Sequence, residues 1–314
     1  MDFDCLGFGI CAADYLCIVP GYPKLDEKTE AVQFSYQGGG PVATAMVTLT
    51  RLGFSATYVG KIGNDSDGEF VLSQFEKEGV DTSGIIVDKD MPTNKAFIWI
   101  DQISGKKSIV LNGNQYRPVQ PEEILISHIN SVKYVLIDGR DTSGTFKIIN
   151  WAKEQGARVV LDAGSPRNEM ESLLTVVDYP IVSFSFCQKY FQSADMRKII
   201  DKLLGYGASA AVVTCGEDGC YGGDETGFYF QNAFKVNVVD TTGAGDVFHG
   251  AFIAGLLKNL SLPENLRFAS AVAAMKCTQL GGRQGIPTLN QVDHYLENLE
   301  LTKHQLKERK NEMV

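Results

Sequence analysis

From about residue 121 onward the chain repeats a short aliphatic strand followed by a helix, and no other feature limits its fold as much. Residues 134–137 precede helical spacing over 145–155, 159–162 follows, 181–185 leads into 195–204, and 210–214 comes next. Such alternation predicts a mostly parallel sheet with helices on both faces. The first third is richer in strand signals, at 3–10, 15–19, 31–36, 56–62, 96–101 and 107–111, with one helix over 41–52 that Gly53 is placed to end. Two stretches, about 13–37 and 92–115, break the rhythm. They read as extended, alternating hairpins with no covering helix, which predicts a small lid sheet inserted into the α/β body. The 314 residues would permit two domains at ~150 residues each, but the pattern favours a single α/β domain over 1–314 with a discontinuous lid. Residues 289–310 read as a polar helix whose end, 303–310, is a solvated face.

Composition removes several classes. Hydrophobic residues make up 44% and charged residues 21%, which sets aside disorder, collagen-like chains and disulfide scaffolds. Lys plus Arg is 29 against 38 Asp plus Glu, a net charge of −9, the opposite of the bias expected of a protein that neutralises nucleic-acid phosphates. A local basic pocket for one small anion stays possible. The seven cysteines are odd in number, scattered and free of any C-x-x-C pair, so neither a disulfide framework nor a zinc site is indicated. The N-terminus lacks a basic, apolar leader, and no eighteen apolar residues run uninterrupted. The expectation is a cytoplasmic protein with neither a membrane nor a nucleic-acid partner, in which the sequons at Asn64 and Asn259 are chance matches.

The chemistry is concentrated in Asp240-Thr241-Thr242-Gly243-Ala244-Gly245-Asp246, which feeds directly into an apolar helix. A small-residue turn at a helix N-terminus leaves backbone N–H groups unpaired where the dipole favours negative charge, which is an anion site. Glycines let a phosphate approach the backbone, and Asp246 at the mouth of the turn can accept a proton from an attacking hydroxyl. The plainer alternative is a capped helix with Asp246 as an N-terminal charge.

This turn resembles the C-terminal signature, D-T-x-G-A-G-D, of the PfkB/ribokinase family of sugar kinases. Gly38-Gly39-Gly40-Pro41, the helix ending Arg51-Leu52-Gly53, and Val59-Gly60-Lys61-Ile62-Gly63-Asn64-Asp65 through Gly68 resemble the family's N-terminal signature. The resemblance covers nearly the whole chain and fits the lack of a Walker-type phosphate loop. It implies a ribokinase-like three-layer α/β sandwich with a mostly parallel central sheet and a small β lid. It further implies transfer of the ATP γ-phosphoryl group with Mg²⁺, Asp246 as base, and the amides of Gly243, Ala244 and Gly245 as anion hole. By the same resemblance Asp14, Gly39 and Gly40 contact the sugar, and Thr214, Gly216, Gly219 and Thr242 the nucleotide. Asp240, Thr242 and the Gly281-Gly282 region lie where many relatives hold a monovalent cation such as K⁺. Each has a plainer alternative, as turn, loop or core residue.

Two departures stand out. The family's usual N-x-x-E motif is absent from Ile181-Val182-Ser183-Phe184-Ser185-Phe186-Cys187-Gln188, and its usual Asn in the first signature helix is Thr44. Both features fit the family's sulfofructose kinases, which the chain also resembles through 38–45, 234–249, 267–278 and 281–287. A substrate with an anionic tail would need cationic and amide donors, and Lys28, Asn112 and Arg140 are the candidates, Arg140 because it follows a strand end. A neutral ketose, a ketose phosphate or 2-keto-3-deoxygluconate are the alternatives, and a non-catalytic sugar or nucleotide sensor is the alternative of another class. His249 is read as packing beside the turn and Trp99 as cross-strand packing rather than a sugar platform. An exposed lid sheet would suit a lid-to-lid homodimer.

Overall fold

The computed structural model describes residues 1–311, and the charged face expected over 303–310 lies outside the side chains described. At the centre, β1 (Asp2–Phe8) pairs in parallel with β4 (Ala56–Gly63) on one side and β8 (Ser131–Ile137) on the other. Beyond β4 lies β5 (Asp81–Asp88). Beyond β8 come β9 (Arg158–Ala163), β10 (Tyr179–Ser183) and β11 (Ala210–Thr214), all parallel. The antiparallel strands β12 (Cys220–Asp224) and β13 (Gly227–Gln231) finish that edge.

Strands buried on both faces read as unbroken apolar runs, and their alternate residues go to different cores. Cys5, Leu136, Val160 and Val212 pack with α1 (Pro41–Arg51), α7 (Ala244–Leu257) and α8 (Leu262–Lys276). Leu6, Val135, Leu161 and Val213 pack on the other face, with α3 (Thr142–Glu154), α5 (Phe184–Tyr190) and α6 (Met196–Gly205). The expected strand at 181–185 stops at Ser183 because the Ser183 hydroxyl accepts from the Phe186 N–H at 3.0 Å and starts α5 there. Among the described residues no helix is long and apolar enough to cross a membrane.

The lid is a second sheet in the order β3-β2-β6-β7, made of β2 (Ala12–Val19), β3 (Gln33–Gly39), β6 (Lys95–Asp101) and β7 (Lys107–Asn112). The two hairpins are those the sequence predicts, but they are joined through a parallel β2–β6 ladder, Asp14 opposite Ala96 and Cys17 opposite Trp99. That register sorts the lid's faces. Leu16, Ile18, Ala96, Ile98 and Ile100 share the face of Asp14 and bury against Leu280. Tyr15, Phe97 and Trp99 belong to the opposite face, so Trp99 packs across strands and is turned away from the Asp14 side. A helix absent from the sequence reading, α2 (Ser66–Lys77), covers part of that far face: Phe70 stacks on Tyr36 at 3.8 Å, and Asp67 accepts from the hydroxyls of Tyr15 and Tyr36. The remainder is open, with Phe34 62% and Val110 53% exposed.

Candidate active site

The C-terminal ends of the parallel strands face the lid, and the 240–246 turn closes the cleft between them. Gly243 has φ 75°, a left-handed conformation that only glycine adopts cheaply, and a Cβ there would press on the backbone of Gly282 at 2.9 Å. The first helical bond of α7 runs from the Val247 N–H to the Gly243 carbonyl at 2.8 Å. The N–H groups of Gly245 and Asp246 precede it and stand at the open mouth of the helix, beside that of Ala244, which has only a 3.3 Å bond to the Thr241 carbonyl.

The underside of the turn is fully engaged. Lys276, entirely buried at the end of α8, donates from Nζ to the carbonyl of Asp240 at 2.9 Å and to that of Thr242. Lys107, reaching down from β7, donates to the Thr241 carbonyl at 2.9 Å. The Asp240 carboxylate accepts from the N–H of Thr242 at 2.8 Å and of Gly281 at 2.7 Å. The buried Thr242 hydroxyl has no protein partner among the described residues.

Asp246 is partly open to the cleft. Its pKa is pushed up to about 6, first by burial and then by Asp162, against the opposing charges of His249, Lys107 and Lys276. His249 sits one turn along α7, with Nδ1 2.6 Å from the Gly245 carbonyl and Nε2 3.5 Å from the Asp162 carboxylate. The histidine therefore ties the helix to the end of β9 and stands beside the turn, as its sequence position suggested.

Asp14 marks the lid side of the same cleft. It is buried, and its pKa is raised to about 7 by burial, opposed by Arg283 and reinforced by Asp246 and Asp240. A Cβ at Gly39 would collide with the Asp14 carboxylate, so glycine there leaves that carboxylate its place. The sequence reading missed Arg283. Its Nη2 donates to the Gly39 carbonyl at 3.3 Å, its Nε to the Thr44 hydroxyl at 3.4 Å, and its guanidinium lies 5.2 Å from the Phe75 ring. Thr44, in place of the expected Asn, is thus an acceptor for a buried arginine.

Thr214, at the end of β11, donates to the Val182 carbonyl at 3.4 Å, and Gly216 and Gly219 turn the chain into β12 with φ of 59° and 101°. The three proposed tail residues are not gathered together. Arg140 is exposed just past β8, its N–H bound to Asp138 at 3.0 Å, and Arg167, which the sequence reading overlooked, donates to the Asp138 carbonyl at 3.1 Å. Asn112, opposite Lys95, belongs by register to the lid face of Tyr15 and Phe97. Lys28 lies in the exposed β2–β3 loop and lines a hollow with Cys17 and Trp99 on that same far face.

Residues 3–289 match the pfkB family of carbohydrate kinases. The chain belongs to that family. As a pfkB-family carbohydrate kinase it is an ATP-dependent sugar kinase. It is 27% identical over 299 residues to a ribokinase from Haemophilus influenzae, covering 92% of this chain and 97% of that one. It is 26% identical over 318 residues to a 5-dehydro-2-deoxygluconokinase from Bacillus subtilis, covering 94% and 96%. Among solved structures, a putative ribokinase from Agrobacterium tumefaciens aligns with a TM-score of 0.84 at 25% identity, over 95% of this chain and 99% of the other. A putative ribokinase II from E. coli, in complex with ATP and Mg²⁺, has the same fold, with a TM-score of 0.85 at 20% identity, over 94% and 99%. The parallel sheet with its separate lid sheet is therefore the ribokinase-like architecture that the two signatures imply.

Proposed function

We propose that this kinase phosphorylates a hydroxyl of a ketose carrying an anionic tail, of the sulfofructose type. The chemistry rests on one arrangement: a carboxylate with a pKa near 6, Asp246, in the first turn of a helix whose N–H groups are open. Asp246 takes the proton of the sugar hydroxyl as its oxygen attacks the γ-phosphorus, the bond to the β-phosphate oxygen breaks, and ADP leaves. The amides of Gly243, Ala244 and Gly245 receive the charge on the transferring group, so catalysis is mostly positioning and electrostatics. Asp14 and the Gly39-Gly40 backbone hold the sugar. Thr214, Gly216, Gly219 and Thr242 line the way to the nucleotide, and the unpartnered Thr242 hydroxyl is a donor for phosphate. When bound with ATP, Mg²⁺ would supply charge neutralisation at the phosphates. Asp162, close enough to raise the pKa of Asp246, is the carboxylate that would hold the ion where N-x-x-E is missing.

The anionic tail is supported by Arg140 and Arg167. They lie near enough for Arg140 to help lower the pKa of Arg167, after burial, and among the described residues neither forms an ion pair. Asp138 acts on both guanidiniums, and Asp162 and Asp141 on that of Arg167, but none is paired with them, and two guanidiniums outside any ion pair suit a sulfonate or phosphate. A sugar acid is a second reading, favoured by the similarity to a 5-dehydro-2-deoxygluconokinase. Lys28 and Asn112, on the lid's far face, enter this proposal only as groups presented to a second copy, which the exposed Phe34 and Val110 also favour. Light scattering that shows a dilute monomer would remove that dimer. The five buried and two half-buried free cysteines suit a reducing cytoplasm.

An ADP-release assay across fructose, fructose phosphates, sulfofructose, ribose and keto-deoxy sugar acids tests the whole reading. Sulfofructose should give the highest kcat/KM. Tight sugar binding with no turnover of any sugar would mean a sensor instead.

A further inference from the structure

The 240–242 turn calls for a cation. Three successive carbonyl oxygens and a buried carboxylate lie beneath the helix end that must receive phosphate. We propose that the ammonium of Lys276 is that cation, built into the chain, so that this kinase needs no monovalent metal ion.

Lys276 has no exposed surface, and its Nζ donates to the carbonyls of both Asp240 and Thr242. Lys107 takes the carbonyl between them. The Asp240 carboxylate, the strongest ligand available to a metal ion there, is spent on the N–H groups of Thr242 and Gly281. The residues therefore do not fit the K⁺ site that the resemblance implies, because a metal ion and an ammonium cannot both use the same two carbonyls. A buried ammonium is tolerated only when it is paired and hydrogen-bonded. Burial and then Lys107 push the Lys276 pKa down, and Asp240 first, then Cys277 and Asp246, act to hold it up. The geometric consequence reaches the opposite side of the same peptides. The Thr242 carbonyl, anchored downward on Lys276, leaves the Gly243 amide of the same peptide turned toward the phosphate side, while the Thr242 amide is held by Asp240. Lys276 touches neither sugar nor phosphate in this arrangement. It is a positioning residue, and its effect on turnover rests on the kinase reading while its effect on stability does not.

The test therefore has two readouts, the Tm of the substrate-free protein and kcat with the best sugar. With N-methyl-D-glucamine as the only monovalent cation, wild-type kcat should stay within about twofold of its value in about 100 mM KCl, and Tm should differ by less than about 1 °C. Lys276→Met keeps the chain length and removes the charge. Its Tm and kcat should fall, and K⁺ or ammonium should restore part of both while N-methyl-D-glucamine does not. Wild-type activation by K⁺ of more than about tenfold, or a K⁺-selective Tm rise of more than about 3 °C, overturns the proposal. So does a folded Lys276→Met that responds to no cation in either readout. If that variant does not fold, the wild-type measurements decide alone. Absence of turnover with every sugar would count against the kinase reading and leave the Tm comparison to judge the cation.

Discussion

The ends of the cleft proposed to take the phosphate and the sugar are held by different means. At the phosphate end the backbone is the instrument: Gly243 forces the turn, two lysines hold three carbonyls, and Asp240 holds two amides. At the sugar end side chains do the holding. Asp14 is buried against Gly39 with Arg283 nearby, while Arg140 is exposed and the apolar edge of β7 is open. A backbone site cannot be altered without moving the helix it starts, whereas side chains at a rim can be exchanged one at a time. The contrast suits an enzyme with fixed phosphoryl chemistry and an adjustable substrate.

The sharpest way to break the comparison is at Asp246. Asp246→Asn keeps the shape of the turn and removes the base, so kcat should fall by about 10²- to 10⁴-fold while calorimetry still shows ATP binding. Near-normal kcat would mean that the turn only binds. At the sugar end the loss should be smaller and of another kind. Asp14→Asn removes a charged acceptor, an interaction worth about 1.5–3 kcal/mol, and should raise the sugar KM by roughly 10- to 100-fold. Gly39→Ala should act in the same direction, because its Cβ would displace the Asp14 carboxylate. Either change appearing mainly in kcat would place Asp14 with the chemistry.

How much of this was visible beforehand follows the same division. The turn was legible because its signal is local: small residues, an acid and an apolar helix in one run of sequence. The mostly parallel sheet followed from the strand–helix alternation, though not the order of its strands. What could not be read were the partners that come from far away. Lys276 lies 36 residues from Asp240 and Lys107 lies 134 from Thr241, and an isolated lysine carries no mark of burial. Arg283 falls within the matching stretch 281–287, yet nothing in sequence says that it meets Thr44 and Gly39. The parallel β2–β6 register was hidden for the same reason, and with it the side of the lid on which Asn112 and Trp99 fall.

The pH profile sharpens the comparison because both ends carry a raised carboxylate. Asp246 works as a base only when ionised, and Asp14 accepts a sugar hydroxyl more strongly when ionised. With free-enzyme pKa values near 6 and 7, kcat/KM should climb with pH across that interval and level off above it. Asp14→Asn removes the upper group and a negative charge that opposes ionisation of Asp246, so the remaining limb should move to lower pH. An unchanged limb would show that one of the two carboxylates does not titrate where its burial places it.

The smallest effect should come from the exposed guanidinium. Arg140→Ala leaves the Asp138 turn intact, since that turn uses the Arg140 N–H rather than its side chain. It should therefore raise the KM for sulfofructose by about tenfold, the size of one partly solvated charged hydrogen bond, and leave the KM for fructose unchanged. The loss should shrink as salt is added, because the charge is open to solvent. Arg167→Ala is the harder change: its Nε holds the Asp138 carbonyl, so part of its effect should fall on both sugars alike. Equal losses for charged and neutral sugars in Arg140→Ala would move the tail away from β8 and leave the lid of a second copy, with Lys28 and Asn112, as the place to look.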